Sequence, residues 1–130
     1  EKQESETHGS IPTEFYAYVG GYLDGEGCLT YRNSPIIEAV SVYPFTLEEV
    51  AINLGGKVFK RQPYGKNQRV YYQYRIYGDP ALELLKKILP YLREKRVQAL
   101  QLFRIRELPP GPEREKLKAE LKAMKQVEYK

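Results

Sequence analysis

Tryptophan is absent from this chain, and cysteine, methionine and histidine occur once each. One thiol, Cys28, cannot close an internal disulfide, and a single His8 leaves no Cys/His spacing for a zinc site. No apolar run approaches the roughly 20 residues that a membrane-spanning helix needs. The opening "EKQESETHGS" is polar and acidic and has no apolar signal-peptide core, so a mobile tail is expected over residues 1–12. These absences point to an intracellular protein with no membrane partner.

A further absence is local. Between residues 57 and 77 there is no aspartate or glutamate, while Lys57, Lys60, Arg61, Lys66, Arg69 and Arg75 all fall there. Tyrosines are interleaved with them. The net charge of +4 says little alone, but this distribution concentrates it where an anionic partner would find it. The acids gather in the N-terminal tail and the C-terminal third.

What the chain has is enough length, 130 residues with 42% hydrophobic content, for one domain with a real core. A first helix is expected from Thr13, as N-cap, to about Gly25. "CLTYRN" (28–33) alternates and "IIEAVSVY" (36–43) is β-branched, so both read as strands. "TLEEVAINLGG" has helical spacing, with Thr46 as cap and Gly55-Gly56 as stop. "KVFKRQ" and "RVYYQYRIY" are strands around the turn sequence "PYGKN". In the second of these, Val70, Tyr72, Tyr74 and Ile76 share one face and Arg69, Tyr71, Gln73, Arg75 and Tyr77 the other. Asp79-Pro80 caps a helix ending at Pro90, and a second runs from about Tyr91 to Glu107. After the connector "LPPGP" comes an amphipathic helix with Leu117, Leu121 and Met124 on one stripe. The expected fold is α+β, in the order α-β-β-α-β-β-α with extra C-terminal helices. Its single four-stranded antiparallel sheet has one helix-covered face and one basic, tyrosine-bearing face.

The stretch "YVGGYLDGEG" (18–27) sits uneasily in a helix. Gly20, Gly21 and Gly25 would together cost about 2–3 kcal/mol there. Gly21 and Gly25 lie four apart with Gly20 beside them, so they clear a helix face. Two copies of such a helix can approach almost backbone to backbone. Carboxylates at the ends of two such helices would repel unless cations lay between them. A calcium-loop reading fails, because the twelfth position counted from Asp24 is Pro35.

"VGGYLDGEG" (19–27) resembles the nine-residue motif of the LAGLIDADG homing endonucleases, with small residues at Gly20 and Gly21, acids at Asp24 and Glu26, and glycines at Gly25 and Gly27. "LPYLREKRVQA" (89–99) is similar to a segment that holds a basic residue near the active site in that family, with Lys95 at the matching position. The resemblance spans residues 13–107, followed by a connector and helix over 108–130. It implies the αββαββα homing-endonuclease-like fold and divalent-metal-dependent cleavage of both strands of a long, pseudo-palindromic DNA site, leaving 3′ overhangs. Glu26, with the main-chain carbonyl of Gly25, would hold Mg²⁺, two or three ions being shared at the dimer interface. Lys95 would act on the phosphate or the water. Gly20, Gly21 and Asp24 would serve the interface. One motif in a chain of this size implies a homodimer on double-stranded DNA, with no nucleotide cofactor, in a prokaryotic cytoplasm or an organelle. Thr30, Arg32, Ser41, Lys60, Arg61, Lys66, Arg69, Tyr71, Gln73 and Arg75 are the expected DNA contacts. Many members carry Gln or Asn after the second strand, where this chain reads "VYPFT". An intron RNA maturase or a non-cleaving DNA-binding protein on the same fold is the alternative.

Overall fold

The structure, a computed structural model, describes residues 11–63 and 69–127. Its elements are α1 (Thr13–Glu26), β1 (Gly27–Tyr31), β2 (Pro35–Ser41), α2 (Phe45–Leu54), β3 (Lys57–Arg61), β4 (Tyr71–Tyr77), α3 (Asp79–Ile88), α4 (Arg96–Glu107) and α5 (Pro112–Val127), with a 3₁₀ turn at Leu89–Tyr91. The α+β order is the expected one. All strand pairings are antiparallel, and the sheet runs β1-β2-β4-β3.

Side-chain alternation sorts the sheet into two faces. Leu29 faces Ile37, Ala39 faces Tyr74, and Ile37 faces Ile76, all buried. On them α3 lays a stripe of Ala81, Leu84, Leu85 and Ile88, while α1 contributes Val19 and Leu23 and α2 contributes Leu47 and Val50. Tyr74 is fully buried, and its hydroxyl donates to the Gly55 carbonyl at 2.7 Å. Burial pushes that phenol far above its ordinary range. Gly56 has φ of +100°, and a Cβ there would stand 2.6 Å from the Tyr74 ring, so the Gly-Gly stop serves backbone hand and close packing together.

The helix starts differ from the expected caps. Pro12, Pro44 and Gly78 precede α1, α2 and α3, and none offers a side-chain cap. Thr13 and Asp79 are already helical. The Thr46 hydroxyl instead bonds the Tyr18 hydroxyl at 3.0 Å, tying α2 to α1, and Asp79 pairs with Arg106 at 2.5 Å. Competing tertiary partners have taken the polar side chains away from their local caps.

The expected helix from Tyr91 to Glu107 is broken. Its regular part starts at Arg96, and residues 92–95 form an irregular bend after the 3₁₀ turn. The C-terminal helix folds back on its own chain. Gln101 on α4 donates to the Leu117 carbonyl at 3.1 Å and to Glu120 at 3.2 Å, Arg114 donates to the Ile105 carbonyl at 3.1 Å, and Leu121 is buried. That places α5 along the free edge of β1.

Candidate nucleic-acid interface and metal centre

The end of α1 and the bend at 92–95 are one structure. The Asp24 carboxylate accepts backbone N–H bonds from Arg93 (3.0 Å), Glu94 (3.1 Å) and Lys95 (2.9 Å). From a distant part of the chain it satisfies three successive backbone donors of the bend just ahead of α4, much as a capping carboxylate satisfies orphan donors at a helix start. Burial alone would raise this carboxyl. The three N–H bonds, helped by the Lys95 charge, outweigh it and hold Asp24 below the usual carboxylate range. Lys95 returns the contact, its ammonium donating to the Asp24 carbonyl at 2.7 Å.

Asp24 is therefore spent on architecture, and Glu26 is not. Glu26 closes α1 in an exposed position, and its side chain makes no hydrogen bond or ion pair among the described residues. Its charge is felt by Tyr22, one turn earlier, whose phenol is raised first by burial and then by Glu26, against a lowering contact from Ser41. The last carbonyls of a helix have no intrahelical partner and carry its negative dipole end, which suits a cation beside Gly25 and Glu26. The donor set is hard oxygen, as Mg²⁺ prefers. Among the described residues no cluster of three or more acidic, Cys or His ligands forms within the chain. By donor type, the Glu26 carboxylate and the Gly25 carbonyl fit a hard cation.

The three motif glycines separate into two roles. A Cβ on Gly20 would stand 2.7 Å from Cβ of Tyr91, so Gly20 lets α1 seat against the turn at 89–91 of its own chain. Gly21 and Gly25 have nothing within 4 Å of a Cβ and are exposed. The bare face expected of all three belongs to these two.

On the sheet's open face, register brings Cys28, Thr30, Glu38, Val40, Gln73, Arg75, Lys57, Phe59, Arg61 and Tyr71 together. Ser41 and Lys60 both pair opposite Tyr72, one residue out of phase with Val40, Phe59 and Arg61, and Lys60 is exposed. Arg69 precedes β4 and is exposed, Arg32 is exposed just after β1, and Lys66 lies outside the described residues. Glu38 was missing from the sequence reading. It is the only acid in the four strands, and it organises the face. Arg75 donates to it at 2.7 Å and Gln73 at 3.2 Å, while Arg61 donates to Gln73 at 2.8 Å. The period-2 phase of "IIEAVS" carries the signal, since it puts Glu38 opposite buried Ile37 and Ala39.

No protein-family model matches the chain, and no curated protein does. Solved structures match it closely in shape. The homing endonuclease I-CvuI, in complex with its target in the presence of Ca, superposes with a TM-score of 0.71 at 23% identity, over 86% of this chain and 82% of that one. I-CvuI bound to the I-CreI target in the presence of Mg, with the DNA not cleaved, gives 0.65 at 24% identity, over 84% of this chain and 80% of that one. The archaeal intron-encoded homing endonuclease I-Vdi141I, complexed with DNA, gives 0.66 at 16%, over 84% and 82%. This chain has the LAGLIDADG homing-endonuclease fold. In that fold its α1 motif ends where Lys95 donates to the Asp24 carbonyl, two residues before Glu26, and its open sheet face carries the Arg61–Gln73–Glu38–Arg75 network.

Proposed function

We propose that this protein is a DNA endonuclease that binds duplex DNA on the open sheet face and cuts it as a homodimer with divalent metal. The observation that carries the reading is the division of labour in the motif. Asp24 is consumed by three backbone donors, and Glu26, two residues on, is left exposed and without a hydrogen bond at a helix end. A purely structural motif has no need of the second acid.

Two copies joined along Gly21 and Gly25 would bring two Glu26 carboxylates together, each supplying hard oxygen ligands with the neighbouring Gly25 carbonyl. Mg²⁺ held there would polarise the phosphate and lower the pKa of a bound water. Lys95, part-buried and anchored on the Asp24 carbonyl, holds a fixed positive charge beside that position. On the sheet, arginine and glutamine side chains offer paired donors and acceptors to base edges, while exposed lysines take phosphates. A two-fold dimer reads a near-palindromic site.

Glu26→Gln tests the reading. It should keep duplex binding within about two-fold and lose cutting by at least the 10²–10³-fold typical of a lost electrostatic stabiliser. Cutting at the wild-type rate by this variant would remove Glu26 from the chemistry. A second reading, a binder or intron maturase that does not cut DNA, is favoured by the β2–α2 connection: Val42, Tyr43 and Pro44 place no carboxamide beside the motif. A protein of that kind would show Glu26→Gln without effect on any measured function.

A further inference from the structure

A groove of about 880 Å³ runs between β1 and α5, and it opens onto the same face of the sheet that carries Thr30 and Glu38. The function proposed above makes no use of α5. One helix face lines it, at the spacing Glu115, Lys118, Lys122 and Lys125, with Arg32 from the end of β1 opposite. Leu121, buried, forms part of the groove's floor, and half-buried Leu117 packs against the core.

The groove's charge is unbalanced. Glu115 is paired with Lys118 at 3.2 Å, and Glu38 with Arg75 at 2.5 Å. Lys125 donates to neutral acceptors, the Leu29 carbonyl at 2.9 Å and the Thr30 hydroxyl at 2.8 Å, so its charge is not cancelled. Those two bonds also pin the end of α5 to the sheet edge. Lys122 and Arg32 are exposed and have no ion-pair partner among the described residues. Three uncompensated cations thus follow the edge strand, continuous with the open face.

We propose that this groove is a phosphate track: a DNA backbone that lies on the sheet continues past β1 and is held between Arg32 and the Lys122–Lys125 side of α5. The inference rests on the sheet being a duplex-binding face. The occupant is an anionic backbone because the walls offer cations and a hydroxyl, with Tyr31 and Leu121 as floor. It is not a base-reading site, since lysines on a flexible stem take phosphates as point charges.

The experiment measures binding of a random-sequence 30-base-pair duplex across a salt series, for wild type, Lys122→Ala, Arg32→Ala/Lys122→Ala and the control Lys116→Ala. Lys116 sits on α5 but does not line the groove. Each phosphate contact contributes about −0.9 to the slope of log K against log salt. The track predicts a slope shallower by about 0.9 for Lys122→Ala and about twice that for the double variant, with Lys116→Ala unchanged. Unchanged slopes in both groove variants, or an equal loss in Lys116→Ala, would overturn the track while leaving the sheet reading standing. A wild type that shows no salt-dependent duplex binding would overturn both. Unaltered melting temperatures in all variants establish that folding is not the cause.

Discussion

Asp24 and Glu26 stand two residues apart and differ in every respect that the fold controls. Asp24 faces the bend at 92–95 and ties it to the end of α1, so Asp24→Ala should cost about 0.5–2 kcal/mol by removing the acceptor of three backbone donors, two of them exposed. Chemical denaturation measures this directly. The carboxyl is depressed in the folded state, so its contribution is present above the unfolded value of about 4 and is lost as pH falls through the lower folded value. Asp24→Asn should therefore flatten the acid side of the stability profile below about pH 4 and leave its slope above pH 5 unchanged. An unaltered acid limb would mean that the three N–H bonds do not favour the ionised form. Gly20 makes a separate prediction. Gly20→Val should destabilise the monomer by about 1–3 kcal/mol through overpacking on Tyr91, whereas Gly21→Val should not, because a Cβ at Gly21 meets nothing.

At the scale of elements, alternation and periodicity made much of the architecture legible. The order of helices and strands, the antiparallel sheet and the Tyr72/Tyr74/Ile76 phase follow from residues that are close in sequence. What the sequence concealed depends on distant pairs. Thr46 turns to Tyr18 and Asp79 to Arg106, so neither caps its own helix. The bend at 92–95 is stabilised by Asp24, about seventy positions away in the chain. The open-face network is also a cross-strand property, spanning β3, β4 and β2. Glu38 holds Arg75 and Gln73, the side chains best suited to DNA, on the protein itself. Glu38→Gln keeps the shape, removes the one acid from the strands and should tighten non-specific duplex binding several-fold at low salt, with a smaller gain at high salt. Weaker binding would mean that Glu38 positions these side chains more than it neutralises them.

Considered whole, one chain presents one exposed glycine pair at Gly21 and Gly25, one exposed carboxylate at Glu26 and one four-stranded sheet. Among the described residues no helix is long and apolar enough to cross a membrane. The open face carries Lys57, Arg61 and Arg75 against Glu38, and its β1 edge carries Arg32, Lys122 and Lys125. In the proposed homodimer a partner repeating the same surface would complete the metal ligands, and a two-fold arrangement would set both sheets along one duplex. Gly21→Leu should then yield a folded chain of half the native mass by sedimentation, with cutting lost. A dimer that persists in this variant would place the interface elsewhere.

The central claim is that this chain cuts DNA with two-fold symmetry and a divalent metal. The direct measurement is incubation with a randomised duplex library in Mg²⁺ and, separately, in Ca²⁺, followed by sequencing of the cut ends. The account predicts ends that share one near-palindromic site with 3′ overhangs, appearing with Mg²⁺ and not with Ca²⁺. Uncut libraries in both metals, from protein that binds the same duplexes, would contradict it and identify a binder on an endonuclease scaffold.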